Sequence, residues 1–321
     1  MSFDLTDEWV WDFWVVDDPA SAVPAYHLFF LKAPRTLGDP DLRHVNASIG
    51  HAVSEDLRTW TRVGDALGPQ AVGAFDDLAN WTGSVVRDDD GCWHQFTTGV
   101  SHAEEGAVQR IGVSTSTDLH HWTPSKDLLL EADHRWYRRR PGSGADEHWR
   151  DPWVVRDNQG QWHMYVTAQA PGDAGHGVIG HATSPDLRAW DIGPPLSEPT
   201  GRFDQLEVIS LAQVEGKWVL LFSCLSPEMP GARPGEGGVW AVAVDGPGAT
   251  VDPAAAVRLT SEDLYVGKLM TLRDGTTQFL AFENRGETGL FVGGVIDPCR
   301  VRWNPQGDGL ELLDGPKRWR P

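Results

Sequence analysis

Three acidic residues stand in sequence surroundings that disfavour an ionised carboxylate. Asp12 lies among three Trp in the stretch "WVWDFW", Asp151 lies in "HWRDPWVV", and Glu207 precedes a run of apolar residues in "DQLEVISLA". An ionised group in an apolar strand loses hydration unless another group compensates for it. Two carboxylates, one ionised and one protonated, can together cleave a glycosidic bond. The three acids are therefore candidate catalytic residues.

The aromatic composition favours a sugar as the ligand. The chain contains 16 Trp but only 4 Tyr and 11 Phe. A flat indole ring covers the C–H face of a sugar and also packs well in a core. We expect most of the Trp residues to be structural and a minority, among them Trp11 and Trp81, to line a pocket.

A repeated motif indicates how the chain is organised. The pattern Ser-x-Asp-Leu-x-x-Trp occurs at residues 54–60, 116–122 and 184–190, each time after a short β-like run. This period is longer than that of a WD40 blade and suits a four-stranded blade with loop insertions. The Trp of each copy is predicted to be structural, because a repeat follows the blade and not the site.

Five β-hairpins alternate with these motifs. Polar turns such as Asp-Gly and Glu-Gly separate runs rich in β-branched and aromatic residues, as in "SVVRDDDGCWHQFTTG" and "LAQVEGKWVLLFSC". Third strands are predicted at "GHAVS", "IGVSTS", "IGHATS", "GVWAVAV" and "GLFVGGV", and the tail "VRWNPQGDGLELL" is predicted to supply a last strand. The pattern predicts an all-β, five-bladed β-propeller that occupies residues 1–321 as a single domain.

The innermost strand of every propeller blade begins near the central axis. Residues at the starts of the five hairpins are therefore predicted to converge although they are far apart in the sequence. They are Asp12, Trp81, Ser84, Arg150, Asp151, Glu207 and Tyr265.

The same residues carry a resemblance to two known families. The stretches "VWDFW", "YHLFF", "WTGS", "WRDP" and "DQLE", in this order, resemble glycoside hydrolase family 68 (levansucrases) and its sister family 32 (invertases, inulinases). Each motif alone is weak, but all of them in order at blade starts are fairly specific. The resemblance covers residues 9 to about 285 and implies a retaining enzyme that processes fructosyl groups.

The resemblance also implies a role for each residue. Asp12 matches the nucleophile, Glu207 the acid/base, and Asp151 the acid that grips ring hydroxyls and stabilises the transition state. Apolar neighbours and nearby carboxylates should favour the protonated form of Glu207, whereas Asp12 must stay ionised. The predicted substrate-binding residues are Trp11, Trp81, Ser84, Arg150, Asp204 and Tyr265.

Two departures from the family pattern bear on the substrate. Where family 68 enzymes usually read Asp-Glu-x-Glu-Arg, this chain reads Asp204-Gln205-Leu206-Glu207-Val208, so that one acid and one Arg are missing. That neighbourhood holds the leaving-group sugar in the family, which puts sucrose as the substrate in question. The β-sandwich that family 32 enzymes append is also expected to be absent.

Sucrose and short fructo-oligosaccharides are the predicted substrates of a hydrolase, and several alternatives stay open. A fructosyltransferase would use the same covalent intermediate. An inverting arabinofuranosidase or xylosidase of family 43 would share the propeller but hold its two carboxyl groups farther apart. A non-catalytic propeller that binds glycans is the fourth hypothesis.

Composition excludes several other classes. With 27 Lys and Arg against 46 Asp and Glu, the net charge of -19 disfavours nucleic acids and anionic membranes as partners. Three widely spaced Cys and the absence of HxH or HExxH spacing predict neither a disulfide framework nor a metal site, and no cofactor is expected. The start lacks a signal peptide, which predicts a cytoplasmic protein, or a secreted one if a leader has been removed. The oligomeric state is left open.

Overall fold

The computed structural model describes residues 3–19, 25–140, 146–171 and 176–321, with the side chains of 126–129 excepted. Twenty strands form five four-stranded sheets in which consecutive strands pair. The bounds, blade by blade, are β1 Glu8–Asp18, β2 Ala25–Pro34, β3 Ser48–Ser54 and β4 Thr61–Leu67; β5 Ala79–Arg87, β6 Trp93–Val100, β7 Arg110–Ser116 and β8 Thr123–Leu130; β9 Trp149–Arg156, β10 Trp162–Gln169, β11 Gly177–Ser184 and β12 Asp191–Ile192; β13 Glu207–Val214, β14 Lys217–Cys224, β15 Gly238–Ala243 and β16 Val257–Arg258; β17 Leu264–Thr271, β18 Thr277–Glu283, β19 Cys299–Trp303 and β20 Leu310–Leu312.

The five antiparallel sheets are the blades of a β-propeller, which confirms the predicted fold class. In the described residues the remaining regular structure consists of short 3₁₀ segments. Four blades follow the predicted hairpins and third strands. The fifth does not: the third strand is Cys299–Trp303 instead of "GLFVGGV", and the tail supplies both outer strands. Phe291 and Val295 of the expected strand form only isolated bridges.

The repeated Ser-x-Asp-Leu-x-x-Trp motif forms the turn between the third and fourth strands of a blade. In the third copy the Ser184 hydroxyl accepts a hydrogen bond from the Leu187 amide at 2.8 Å, and the Asp186 carboxylate accepts from the amide of Arg188 at 2.9 Å. Leu187 takes a left-handed φ of 65°, and the Trp190 ring donates to its carbonyl at 3.2 Å. The motif Trp is thus structural in this copy, as predicted, and its partner is the turn itself.

The ring of blades closes between blade 1 and blade 5. The Phe3 amide donates to the Val295 carbonyl at 2.7 Å, and the Gly294 amide donates to the Val10 carbonyl at 2.7 Å. Gly293 is required there, because its φ is 83° and a Cβ would lie 2.6 Å from the Val10 oxygen. The segment predicted as a third strand therefore joins blade 5 to blade 1.

Each innermost strand carries a β-bulge near the axis. The strand pairing shifts at Trp11/Phe13, Trp81/Gly83, Tyr165/Thr167, Glu207/Ser210 and Tyr265/Lys268, and in every case the extra residue belongs to the inner strand. A bulge bends the strand and re-aims a side chain. Asp12 and Thr82 are themselves the extra residues of their strands, which turns them toward the axis.

We expect Gly83→Ala to destabilise the protein, since a Cβ at Gly83 would lie 2.0 Å from the Phe96 carbonyl oxygen in the neighbouring strand. Overpacking of this kind costs about 1–3 kcal/mol. Thermal or urea unfolding measures the loss, and Gly193→Ala is the control because no atom lies within 4 Å of its Cβ position. Equal stability of the two variants would contradict the tight approach of β5 and β6.

Candidate active site

A cavity of about 430 Å³ opens at the starts of the inner strands. Asp12, Asp151 and Glu207 all line it, as do Trp11, Trp81, Arg150 and Tyr265 among the predicted binding residues. A larger cavity of about 560 Å³ lies between blades 1 and 5, but none of the three acids lines it. We therefore place the candidate active site in the central cavity.

Asp12 is the acid of blade 1 and is held from blade 2. The Thr82 hydroxyl donates a short hydrogen bond to its Oδ2 atom. Burial, followed by the nearby charge of Asp151, raises the pKa of Asp12 to about 7, although the Thr82 hydrogen bond and Arg43 oppose the shift. With this pKa, Asp12 is ionised in only part of the molecules at neutral pH. The role predicted from the sequence requires an ionised Asp12, but the surroundings of this carboxyl favour its neutral form.

Asp151 and Arg150 form the blade 3 part of the site. Asp151 has a left-handed φ of 60°, and its amide donates to the Thr98 hydroxyl at 2.9 Å. The Thr167 hydroxyl donates to Asp151 Oδ2 at 2.8 Å. Burial raises the pKa of Asp151, and the adjacent Arg150 guanidinium opposes the rise. The carboxyl is thereby fixed from several strands before any ligand enters.

Glu207 is anchored by two residues of neighbouring blades. Arg150 Nη2 donates to Glu207 Oε1 at 2.6 Å, while the Tyr265 hydroxyl donates a short hydrogen bond to Oε2. Arg150 Nε also lies 3.4 Å from Asp151 Oδ2, so one guanidinium bridges two of the three acids. These two contacts fix the orientation of the Glu207 carboxyl.

Aromatic and basic side chains form the wall above the acids. Trp11 is almost fully buried, and the Trp81 ring donates to the His44 carbonyl at 2.7 Å. The Arg43 guanidinium stacks over the Phe291 ring, with 4.0 Å from its carbon to the ring centroid. The wall thus combines faces for a sugar ring with a cation near Asp12.

Two of the predicted binding residues do not line the cavity. The Ser84 hydroxyl accepts a hydrogen bond from the Val154 amide at 3.1 Å and so joins blades 2 and 3. The bulge in β5 aims Thr82 at the axis in its place, which sequence alternation alone does not reveal. Asp204 lies outside the lining, with a side-chain oxygen 3.9 Å from His176 Nδ1, and its neighbour Gln205 faces the cavity.

Several cavity residues were missed by sequence reasoning because they do not stand at blade starts. Arg43 belongs to the 3₁₀ segment Pro40–Asn46, and Glu228 follows β14 in the segment Ser226–Glu228. Gln205 Nε2 donates to Glu228 Oε1 at 2.6 Å, while Glu228 Oε2 is buried and has no hydrogen-bond partner among the described residues. Burial and the charge of Glu207 raise the pKa of Glu228 to about 8. The only related signal in the sequence was the missing acid at Gln205, the residue to which Glu228 is hydrogen-bonded.

One group of potential metal ligands occurs among the described residues, away from the cavity. Ligand atoms of Asp88, Cys92 and His94 lie within 4.8 Å of one another at the β5–β6 turn. His94 Nε2 and Asp88 Oδ2 are 2.9 Å apart. In blade 3, Asp157 and His163 form the same pair at 3.4 Å without a Cys. The shared pair is therefore a feature of the turn. The HxH and HExxH patterns do not cover this spacing.

Comparison with known proteins identifies a family and several related proteins. Residues 17–250 match the family described as "Glycosyl hydrolases family 32 N-terminal domain". "Beta-fructofuranosidase, insoluble isoenzyme 7" of Oryza sativa subsp. indica is 31% identical over 173 residues, which are 52% of this chain and 26% of the rice protein. "Fructan 6-exohydrolase" of Triticum aestivum is 31% identical over 177 residues, 51% of this chain and 26% of the wheat protein. The chain thus matches about a quarter of the length of each relative.

The solved structures support the propeller fold. The inulosucrase from Halalkalicoccus jeotgali bound to kestose has a TM-score of 0.75 at 22% identity, covering 96% of this chain and 87% of that chain. Fructan 1-exohydrolase IIa from Cichorium intybus has a TM-score of 0.72 at 16% identity, covering 97% and 59%. No helix in the described part of the chain has the length and hydropathy that crossing a membrane requires.

The raised pKa of Asp12 predicts how Asp12→Asn changes stability with pH. With a pKa of about 7 in the folded protein against an ordinary value of 3.8, the native state binds more protons than the unfolded chain between these values. Stability from this carboxyl is present at low pH and is lost as the pH rises through 7. Asn does not titrate, so Tm of the variant minus Tm of the wild type should increase from pH 5 to pH 8. If thermal unfolding gave the same Tm difference at pH 5 and at pH 8, this would contradict the raised pKa of Asp12.

Proposed function

This chain belongs to glycosyl hydrolase family 32, and we propose that it is a retaining enzyme that cleaves terminal β-D-fructofuranosides. The observation that carries the proposal is the meeting of Asp12, Asp151 and Glu207 in one cavity, with Arg150 touching two of them. The matched rice and wheat relatives are named as a beta-fructofuranosidase and a fructan 6-exohydrolase, which supports a fructosyl group as the part recognised.

In the proposed first step, ionised Asp12 attacks the anomeric carbon of the fructosyl group. The bond to the leaving-group oxygen breaks while protonated Glu207 gives that oxygen its proton, and a fructosyl ester of Asp12 forms. In the second step the Glu207 carboxylate takes a proton from water, whose oxygen attacks the same carbon and releases Asp12. Two displacements at one carbon retain its configuration.

The remaining polar groups act on charge and orientation. Asp151, fixed by Thr98 and Thr167, is placed to accept hydrogen bonds from ring hydroxyls and to stabilise positive charge at the ring in the transition state. Arg150 keeps Glu207 aimed into the cavity through its 2.6 Å bond. Trp11 and Trp81 supply apolar surface for the ring.

The size and chemistry of the cavity favour a small carbohydrate. A volume of about 430 Å³ suits sucrose or a short fructo-oligosaccharide with its terminal fructosyl unit innermost. Gln205 and Glu228 line the cavity, and no described residue hydrogen-bonds to Glu228 Oε2, which supports a contact between this oxygen and a hydroxyl of the leaving sugar. The kestose bound to the inulosucrase supports this size of ligand.

Transfer to a sugar acceptor is the second candidate function. The structural neighbours include an inulosucrase and the levansucrase from Gluconacetobacter diazotrophicus, the latter with a TM-score of 0.74 at 18% identity, covering 99% of this chain and 83% of that chain. The same ester of Asp12 would be released to a hydroxyl in place of water.

We further propose that residues 1–321 act as one catalytic propeller domain.

Asp12→Asn should lower kcat for sucrose or kestose hydrolysis by about 1000-fold or more, because the nucleophile is removed. Released fructose and longer oligosaccharides are resolved by chromatography after incubation with sucrose, kestose, inulin, levan and nitrophenyl arabinofuranoside. Asp204→Asn is the matched control and should keep its activity, since Asp204 does not line the cavity.

Methanol added to the reaction tests retention. The β-configured methyl fructofuranoside is expected, and the α-anomer would favour an inverting enzyme. Release of pentose alone from the panel would overturn the fructosyl proposal, and undiminished activity of Asp12→Asn would overturn the assignment of the nucleophile.

Glu228→Ala, which leaves no polar atom, is predicted to raise KM for kestose and sucrose about two- to tenfold, the loss expected for one hydrogen bond between uncharged groups, since a pKa of about 8 leaves Glu228 largely protonated at neutral pH. Nitrophenyl β-fructofuranoside, whose leaving group offers no sugar hydroxyl, should be nearly unaffected. Steady-state kinetics on both substrates measures the contrast. Equal effects on the two substrates would place Glu228 outside the leaving-group subsite.

A further inference from the structure

Lys268 is a buried cation at the propeller axis that the proposed mechanism does not use. It lies on β17 with 4% of its surface exposed. It does not line the catalytic cavity but a separate one of about 280 Å³, together with Asp17 and Trp153. A group in this position cannot touch a sugar in the catalytic cavity, so any role in the reaction is indirect.

The contacts of Lys268 lead to the backbone that follows the acid/base residue. Its ammonium group donates to the Val208 carbonyl at 3.4 Å and lies 4.6 Å from the centre of the Trp153 ring. Val208 has a left-handed φ of 51°. This conformation is strained for a β-branched residue and persists only where the surroundings hold it. Lys268 is one of the groups that hold it.

The backbone amide of Val208, in contrast to its carbonyl, points to the proposed catalytic acids. The Val208 amide lies 3.2 Å from the Thr167 hydroxyl and 3.4 Å from Asp151 Oδ2, and both contacts are hydrogen bonds. One strained residue thus connects Lys268 to Asp151 and, through the chain, to Glu207. A shift of its backbone would move the acid/base carboxyl and release a hydrogen bond to Asp151.

The charge of Lys268 is directed at the same acids. Burial lowers the pKa of Lys268 to about 7, and the charges of Asp12 and Asp151 oppose that shift. The attraction is mutual, so the ammonium group favours the ionised forms of both carboxyls. Asp17 of β1 lines the same lower cavity but pairs with Arg273 at 2.6 Å. On the catalytic side, Arg150 is engaged by Glu207 and lies beside Asp151.

A second buried lysine shows what a purely structural role looks like. Lys32, 6% exposed, pairs with Glu8 at 2.8 Å and with Asp65 at 3.2 Å within blade 1. Lys268 has no ion pair within 4.0 Å among the described residues, and its direct partners are a carbonyl and an indole ring. A buried ammonium without a paired carboxylate is costly for folding alone.

We propose that Lys268 is a positioning residue of the catalytic centre, which holds the left-handed Val208 turn behind Glu207 and supplies positive charge beneath Asp12 and Asp151. The inference rests on the proposed function of the cavity. It predicts an effect on the chemical step and on its pH dependence, with little effect on substrate binding.

The test compares Lys268→Met, Lys268→Gln and the control Lys32→Met in the full chain. Met removes both hydrogen bond and charge, whereas Gln keeps a donor for the Val208 carbonyl. For hydrolysis of kestose or sucrose we expect Lys268→Met to lower kcat about tenfold or more, with KM changed less than about twofold. The acidic limb of its pH profile should move up by about one unit, because the Asp12 carboxyl has lost a nearby cation.

Lys268→Gln should recover part of kcat but not the position of the acidic limb. Lys32→Met should lower Tm and leave kcat and the pH profile unchanged. A folded Lys268→Met with wild-type kcat and pH profile, or with only KM altered, would overturn the proposal. Failure of both Lys268 variants to fold, while Lys32→Met folds, would also overturn it in favour of a structural lysine.

A measurement without substrate separates this inference from the proposed function. Because the pKa of Lys268 is about 7 in the folded protein against an ordinary value of 10.5, the unfolded chain binds more protons between these values. Its contribution to stability therefore rises with pH from 7 to 10.5, and Lys268→Met should lose that rise in thermal unfolding. Absence of fructoside cleavage by the wild type overturns the function. If Tm depends on pH in the same way in the wild type and in Lys268→Met, the inference that Lys268 is a buried charged group is wrong.

Discussion

The crowding of three carboxylates at the propeller axis, two of them against one guanidinium, is the constraint on which the rest of the structure depends. Arg150 contacts Glu207 at 2.6 Å and lies 3.4 Å from Asp151, and no other Arg among the described residues touches two of these acids. Desolvation raises the pKa of Asp151 in spite of Arg150, and it raises the pKa of Asp12 in spite of Arg43. A cluster of carboxylates of this kind disfavours folding near neutral pH, and the surrounding blades must offset that cost.

The blades meet the constraint with irregular backbone at the axis. Every inner strand carries one extra residue, and Asp151, Val208 and Val266 adopt left-handed φ values of 60°, 51° and 54°. Strain at such residues persists only where packed strands over-determine it. Away from the axis, the motif turns repeat with closely similar hydrogen bonds and also contain left-handed residues, at Leu57, Leu119 and Leu187.

The comparison of expectation with structure follows the same division. Alternating patterns and turn residues predicted the hairpins, because strand pairing and turn chemistry are local. Ser84 was predicted to bind the substrate, but it lies beyond the bulge in β5, where its hydroxyl accepts from the Val154 amide of β9, and Thr82 of the bulge contacts Asp12 instead. The "GLFVGGV" segment was misplaced because its backbone closes the ring between blades 5 and 1. Arg43 and Glu228 were missed because they reach the cavity from segments with no regular pattern.

The sequence by itself determined the all-β architecture, the five hairpins and the three acids at the starts of inner strands, since period, turn residues and anomalous polarity are all written along the chain. Only the tertiary structure decided which neighbours surround those acids. Thr82, Glu228 and Lys268 come from different blades, and their effect on a carboxylate depends on burial and on distances across the axis. Such distances arise only when the ring of blades closes, and for that reason no local pattern encodes them.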